Sequence, residues 1–588
     1  MLVVQKYVAN LLSAAFGEEQ DIEMIHLQVP PKKEHGDLCF ALFEFMKQYK
    51  LPPHELGNKV LSQFSSSGDT SLIDSLTLTG PYINIKLQKT YYNQVFKTYF
   101  KEKKYYLRSK SKKEVIIVDY IGANVGKPLH IGHMCTPLQG QVCINLMRKL
   151  GHKVIGDSHI GDWGIIFGKL IVAYERYGSE TKLQADAVDH LFDLYVRISS
   201  DSEKEEDLEV QFREAFKKLS EGDSRYVELW KKFTTSSIDT MNILLSRIFV
   251  IPDYNIGESF YEGLNLPKLE DYPDLKYNMK DIVIELIEKG IASKNEDNSV
   301  GVVFPEESKL SSCILQKRDG THGYLASDLA CIKYRAINWN PSRILYFVDV
   351  RQQLHFKQAF EIAKKAGWVN DETLLHHAFN GFISLKDGAM STRKGRIIKL
   401  GVLFDEALER AKSIIREKRN DISEEEMNIL AEKVGIGAIK YGYLKKSREL
   451  DSVFDWGEFM TFDGNSGPYI QYAYVRAKKI LSQSNIDINT IMDIKDFIFS
   501  EDIEVQLIQK LLAFPDTIAD IEIHYNFHQL CLYTYELTKL FSTFYAELSI
   551  LNEQNDIILY SRLSILQCFT EIIEESFSIL GIELPLEM

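Results

Sequence analysis

Residues 115–155 read VIIVDYIGANVGKPLHIGHMCTPLQGQVCINLMRKLGHKVI, and this stretch decides the fold. Val115-Ile-Ile-Val118 is a short apolar run ending in Asp119, the pattern of a parallel strand buried on both faces. Gly122, Gly126 and Pro128 then mark a loop. A helical pattern starts near His130, with Leu138, Val142, Leu146 and Leu150 four apart on one face. Gly151 stops it, and His152-Lys-Val-Ile155 begins a second strand. Strand, Gly-rich turn, helix, strand is a βαβ unit. The expected fold class is therefore α/β, with a doubly wound, Rossmann-type parallel sheet at its centre.

The flanking sequence predicts further parts. Residues 1–100 mix helix and strand signals and read as an N-terminal α/β domain. In it, Val3, Val4, Tyr7, Val8, Leu11 and Leu12 recur at helical spacing. Asp37–Phe43 reads as a buried segment, Tyr82–Leu87 as a strand, and Ser65–Asp69 as a loop. Residues 101–114 (KEKKYYLRSKSKKE) form a basic linker. The sheet domain is expected over 115–400, with a helical insertion at about 175–300 that carries acidic runs such as Ser202–Asp207. Strand character returns at Gly301–Phe304 and Arg343–Val348. A helical connector is expected over 401–453. Gly and Pro almost vanish after Pro515, so 454–588 reads as a helical bundle.

Composition narrows the class. The chain has 588 residues, enough for several cores at about 150 residues per domain. Its 45% apolar and 26% charged content is that of a globular protein. No apolar run approaches the ~18 residues that a membrane span needs, so no membrane association is expected. Leu2–Phe16 has no small-residue cleavage pattern and runs into Glu18 and Glu19, so it reads as a folded helix, not a leader. Seven cysteines without a CxxC support neither a zinc knuckle nor a disulfide framework. That usage suits a reducing, cytoplasmic location. A net charge of −14 does not favour bulk polyanion binding but leaves room for local basic patches.

Two cationic elements stand out. At a helix start, unpaired N–H groups and the positive dipole end attract anions. There His130 and His133 lie three apart, Gly132 lets a nucleotide approach the backbone, and Lys127 adds a mobile cation. The strand–turn–helix setting distinguishes this group from a pair of packed histidines. The second element, Lys386–Gly395, is a polar loop with adjacent cations at Arg393 and Lys394.

With HIGH after the first strand and a Met-Ser loop after the last, the chain resembles class I aminoacyl-tRNA synthetases. The longer matches resemble the arginyl-tRNA synthetase family. They are NVGKPLHIGH (124–133), HIGDWG (159–164), GES (257–259), YLASDLA (324–330), VDVRQQLHFKQ (348–358), LKDGAMSTRKG (385–395) and FDGNSGPYIQYAYVRA (462–477), in family order. The loop departs from Lys-Met-Ser-Lys-Ser, since Ala389-Met-Ser-Thr392-Arg393 lacks both lysines. Family members with such loops carry a lysine before HIGH, and Lys127 holds that place.

The resemblance implies arginine activation by ATP and transfer to the 3′-terminal adenosine of tRNA(Arg), with AMP and diphosphate released. It assigns catalysis to Lys127, His130, His133, Ser391, Arg393 and Lys394. ATP binding falls to His130, Gly132, His133, Met390 and Ser391. Arginine binding falls to Asn124, His159, Glu258, Tyr324, Asp328 and Gln352. Chemically the set suits a planar guanidinium, which carboxylates bind directionally. Asp328 pairs with it and Tyr324 flanks it. Glu258 takes the α-amino group or a second guanidinium edge. Mg²⁺ is expected to arrive with ATP, with no protein metal cage. The partners implied are tRNA(Arg), L-arginine and ATP, with the anticodon read by 454–588 and the outer tRNA corner touched by 1–100. Tyr469, Gln471, Tyr472 and Arg476 are the candidate tRNA contacts. A monomer is the family expectation, as is a need for bound tRNA before arginine is activated.

Three alternatives compete: a catalytically inactive tRNA-binding paralogue, a small-metabolite nucleotidylyltransferase and a cysteinyl enzyme. The intact HIGH histidines and arginine set argue against the first. The long helical tail and N-terminal domain are superfluous for the second, and the third would need a zinc-ligand cluster.

Overall fold

The computed structural model describes residues 2–105, 107, 112–263, 272–385, 397–419, 421–461 and 463–588. Its contacts divide the chain into two units. One is Met1–Tyr105 with Ala477–Phe514 and Lys539–Thr570, and the other is Tyr106–Arg476 with Pro515–Thr538 and Glu571–Met588.

The first unit holds a three-stranded antiparallel sheet, with Tyr82–Leu87 between Leu38–Ala41 and Ile73–Thr79. The helix Leu2–Phe16 buries Val4, Val8, Leu11 and Leu12, the apolar stripe its sequence predicts. The expected loop at Ser65–Asp69 is corrected, because the helix Pro53–Ser67 runs through it to Gly68 at φ 62°. Ser65 and Ser66 donate their hydroxyls to the carbonyls of Leu61 and Ser62, which suits these residues to a last helical turn. The helix Lys89–Lys101 packs its aromatic face on Phe497 and Phe499, and Tyr99 donates to the Leu511 carbonyl at 2.7 Å. The buried Glu504 carboxylate is met by Arg562 at 2.8 Å.

The second unit is built on a five-stranded parallel sheet. Its strands are β1 (Val115–Asp119), β2 (Lys153–Ile160), β3 (Tyr254–Gly257), β4 (Arg343–Tyr346) and β5 (Leu374–His377). They lie in the order β5-β4-β1-β2-β3, all parallel. β1 is central, and its Ile116, Ile117 and Val118 are fully buried, as the uninterrupted apolar run requires. The helix α1 (Cys135–Lys149) buries Leu138, Val142 and Leu146. It begins later than the sequence pattern suggests, because Ile131–His133 forms a separate 3-10 turn.

The boundaries of the insertion differ from expectation. It is helical as far as Arg247, but Tyr254–Gly257 inside the expected span is the edge strand β3. Four residues with one buried apolar side chain, Ile256, give too short a pattern to separate from the helices around them. The strand signal at Gly301–Phe304 belongs to a small antiparallel sheet of Ser293–Lys294, Val300–Val302 and Cys313–Gln316, not to the parallel sheet.

Two further helices of this unit carry site residues: α2 (Glu258–Glu262), which follows β3 directly, and α3 (Tyr324–Trp339). Arg335 of α3 is fully buried beneath the sheet's carboxyl edge. Its guanidinium donates to Asp157 Oδ2 at 2.8 Å and to the Asp157 carbonyl at 2.7 Å. It also lies 2.9 Å from Asp119 Oδ2. One cation thus joins α3 to β1 and β2. Breaking a buried ion pair on one side leaves uncompensated charge and costs about 3–5 kcal/mol. Arg335→Met is therefore expected to lower the urea midpoint of this unit's unfolding, followed by circular dichroism, and an unchanged midpoint would contradict the tie.

Candidate active site

The strand order reverses between β1 and β4, and in open parallel sheets ligands bind at the carboxyl ends of the strands beside such a reversal. The loop after β1 carries residues 124–133, the loop after β2 carries 161–164, and Glu258 follows β3. Beyond β4, Val350–Gln352 is a 3-10 turn that leads into α4 (Gln353–Lys365). The candidate residues on these loops thus gather on one edge of one sheet.

The turn Ile131–His133 is held by its own histidines. His130 Nδ1 accepts from the Gly132 N–H at 3.1 Å, and His133 Nδ1 accepts from the His130 N–H at 3.2 Å. The ring centroids are 3.9 Å apart. Because each Nδ1 is an acceptor, the neutral ring carries its proton on Nε2. Burial lowers the His130 pKa to about 4. Burial, then His130, then the Lys127 charge lower that of His133 to about 3. At neutral pH the pair therefore offers two Nε2–H donors and no cation. Beside the turn, among the described residues, Lys127 is a cation, its Nζ 4.4 Å from the centre of the Tyr195 ring.

The chain after the second cationic element pairs with this turn. Ile131 N–H donates to the Ile398 carbonyl at 3.0 Å, and Leu400 N–H donates to the Leu129 carbonyl at 2.9 Å. Met390, Ser391, Arg393 and Lys394 themselves lie outside the described residues.

A carboxylate latch sets Glu258. Asp162, wholly buried, accepts from the Ser259 N–H at 2.8 Å and the Ser259 hydroxyl at 2.6 Å. A Cβ at Gly257 would lie 2.1 Å from the Asp162 Cγ, so only glycine fits beneath the latch. Burial raises the Asp162 pKa to about 6. Burial, then the charges of Asp328 and Asp162, push Glu258 well above the usual carboxylate range. A buried acid facing other acids is a place for a cation.

Tyr324 opens α3, and Asp328 follows one turn later on the same face. Gly323 is the cap of α3, so Asp328 is free of the capping role an aspartate near a helix start commonly has. Asp328 Oδ2 lies 2.6 Å from His355 Nε2, and its Oδ1 lies 3.8 Å from His159 Nε2. Burial opposes its ionisation, but the His355 hydrogen bond and the charges of His355, His159 and Arg335 outweigh that and hold its pKa below the ordinary value. His159 Nε2 meets the Ser327 hydroxyl at 3.0 Å. Tyr324, Gln352 and Asn124 are exposed. Asn124 bridges to Gly161 across the mouths of β1 and β2.

The four candidate RNA contacts are not alike. Tyr472 is exposed, and the Arg476 guanidinium lies 4.7 Å from its ring centre. Tyr469 is half-buried. Gln471 is corrected: it is fully buried, and its amide donates to the carbonyls of Lys433 at 3.2 Å and Glu583 at 2.8 Å. It braces the chain's last residues and is closed to RNA.

Comparison with known proteins places the chain in a family. The model of the class I (R) tRNA synthetase catalytic domain matches residues 94–456, the arginyl tRNA synthetase N terminal domain matches 2–87, and the DALR anticodon binding domain matches 470–588. An arginine–tRNA ligase of Fusobacterium nucleatum is 34% identical over 99% of this chain and 97% of its own. That of Photorhabdus laumondii is 33% identical over 99% and 98%. This chain belongs to the arginyl-tRNA synthetase family. Solved arginyl-tRNA synthetases share its fold. The Plasmodium falciparum structure has a TM-score of 0.77 at 22% identity, covering 100% of this chain and 98% of its own, and the Thermus thermophilus structure has 0.74 at 20%, covering 99% and 100%.

Within the synthetase motifs, sequence reading passed over Asp162, Ser259, Ser327 and His355, which hold the candidate residues in place. Each stands beside or within a quoted motif, but its partner is far away in the chain. Asp162 and Ser259, for example, are 97 positions apart.

The Asp162 latch has a pH signature. A carboxyl whose folded pKa, about 6, lies above its ordinary value of 3.8 favours folding most when protonated. That contribution is present below the unfolded value and is lost as pH rises through the folded one. Asp162→Asn can keep both Ser259 bonds without ionising. The variant's unfolding free energy is expected to gain on the wild type between pH 4 and 7, by up to ~3 kcal/mol. A difference that stays flat with pH in thermal melts would contradict this.

Proposed function

We propose that this chain is an arginine–tRNA ligase that forms arginyl-adenylate from L-arginine and ATP. It then passes the arginyl group to the 3′-terminal adenosine of tRNA(Arg), releasing AMP and diphosphate. The observation that carries this reading is the pairing of two opposite chemistries on one sheet edge. One is a turn that offers Nε2–H donors from His130 and His133, and the other is a pair of half-buried acids, Glu258 and Asp328, set to receive a cation.

In the first step the arginine carboxylate attacks the α-phosphorus in line, and diphosphate leaves. No side-chain nucleophile is required, so catalysis consists of positioning and of stabilising charge on the phosphoryl oxygens. The His130 and His133 donors face those oxygens, Gly132 without a Cβ lets the nucleotide come close, and Lys127 supplies charge. Met390, Ser391, Arg393 and Lys394 complete the ATP side in this reading. Mg²⁺ comes with ATP, bound through its phosphates. Asp328 takes the guanidinium, Tyr324 flanks it, His159 lines the pocket, Glu258 takes the α-amino group or a second guanidinium edge, and Asn124 and Gln352 bind the polar backbone end. In the second step the 2′-OH of the terminal ribose attacks the mixed anhydride.

For tRNA, residues 1–100 touch the outer corner, with lysines of the 101–114 linker joining them. Residues 401–453 meet the stem and 454–588 the anticodon, with Tyr469, Tyr472 and Arg476 as contacts. The family matches at 2–87 and 470–588 support this division. The chain acts as a monomer in the cytoplasm in this reading. No helix among the described residues is long and apolar enough to cross a membrane.

A charging assay with each of the twenty amino acids and total tRNA tests the reading, with arginine alone expected to be charged. Removing a buried carboxylate that pairs with a cation leaves the site mismatched, so Asp328→Ala is expected to lower kcat/KM for arginine by ~10³-fold or more. Near-normal charging by that variant would reject the assignment. Lys127→Ala is expected to lower kcat ~10²-fold while KM for arginine moves far less, since the charge acts on phosphoryl oxygens. An unaltered rate of adenylate formation in single turnover would remove Lys127 from the mechanism.

A further inference from the structure

Asp328 is already held by another side chain. His355, the third residue of α4, reaches across to α3 and places Nε2 2.6 Å from Asp328 Oδ2. The other groups that face this carboxylate come from every side. His159 of β2 lies 3.8 Å from Oδ1, Glu258 of α2 opposes it with like charge, Tyr346 of β4 lies close enough to feel its charge, and Arg335 sits on its own helix. His159 does not share this bond: at 3.8 Å its Nε2 is beyond hydrogen-bond reach of Asp328 and is engaged with the Ser327 hydroxyl.

A carboxylate that recognises a guanidinium has two requirements. Its plane must be fixed, because bidentate pairing is directional, and lone pairs must remain for the ligand. Each carboxylate oxygen carries two lone-pair sites, so a single bond from His355 leaves Oδ2 one and Oδ1 both. Resting on the reading of Asp328 as the guanidinium acceptor, we propose that His355 is a positioning residue for arginine specificity. It anchors Asp328 through Oδ2, fixes the plane of the carboxylate, and turns the remaining lone pairs toward the substrate's guanidinium. It touches neither ATP nor the reacting carboxylate, so its effect falls on arginine binding and selectivity, not on the rate of the chemical step.

The bond also acts on ionisation, in the same direction as the geometry. His355 helps to hold Asp328 below the ordinary carboxylate range, and Asp328 in turn raises His355 above the ordinary histidine value despite burial. Without His355, Asp328 takes up a proton at higher pH, and the guanidinium loses its anionic partner there.

The test uses the full chain in steady-state charging of total tRNA, with arginine varied and citrulline, the neutral isostere of arginine, as competitor. H355A is expected to raise KM for arginine at least tenfold with kcat within about threefold, because a hydrogen bond to a charged group is lost. The preference for arginine over citrulline should narrow, and the acid limb of kcat/KM should move to higher pH. H355Q, whose amide nitrogen reaches about as far as Nε2, should restore most of the KM. H355N, too short to reach, should behave as H355A and replaces it if the alanine variant does not fold. The proposal is overturned if H355A or H355N keeps the wild-type KM and pH profile. It is also overturned if H355Q is as impaired as H355A with kcat and KM changed together, the mark of a merely structural residue. D328A separates the two readings. If D328A retains normal arginine KM, the guanidinium assignment itself fails, whereas a crippled D328A beside an unaffected H355A removes only His355.

Discussion

The buried guanidinium of Arg335 is the interaction on which the site's geometry depends. It lies between Asp119 at the end of β1 and Asp157 within β2, and it belongs to the helix that presents Tyr324 and Asp328. Of the strands beside it, β2 carries His159 and β1 leads into the loop that carries His130 and His133. Asp119 is shared further, since its Oδ1 accepts from the His159 N–H at 3.4 Å. The turn of His130 and His133 and the acids of the candidate site are thereby referred to one buried charge cluster. Removing either partner of such a buried ion pair leaves an uncompensated charge at a cost of several kcal/mol, which ties α3 to both strands.

Burial shapes the chemistry as much as position does. The two histidines of the turn could be read from sequence as cations for phosphate. In the folded chain their Nδ1 atoms are spent on backbone N–H groups and burial keeps them neutral, so they serve as directional donors. The charge beside them is that of Lys127, whose ammonium lies over the Tyr195 ring. On the opposite side the same low-dielectric surroundings work on acids. Asp162 is pushed up yet retained because it accepts two bonds from Ser259, and Glu258 is pushed up by burial and then by its acidic neighbours. A site left with surplus acid favours a cationic side chain by the same desolvation that makes an unpaired acid costly.

Supporting residues in this structure act through hydrogen bonds to single atoms. Ser259 holds Asp162 beneath Gly257, His355 holds Asp328, and the Gln471 amide binds the carbonyls of Lys433 and Glu583. Such residues need reach and a donor, which is why a substitution that keeps both can keep the function while a smaller one does not.

Much of this was legible in the chain itself. The apolar run at 115–118, the glycine-bearing loop and the four-residue spacing from Leu138 are local patterns, and local patterns specify a strand, a turn and a helix. The order of the short motifs identified the family for the same reason, since each motif is contiguous. What folding alone decided is pairing across distance. Sequence periodicity could not show that Tyr254–Gly257 joins the parallel sheet while Val300–Val302 does not, because pairing is made with other strands. It could not show that the Gln471 amide is turned inward, or that Asp328 answers to a histidine 27 positions away. Burial and partnership are properties of surroundings, and the surroundings of a side chain are assembled from distant parts of the chain.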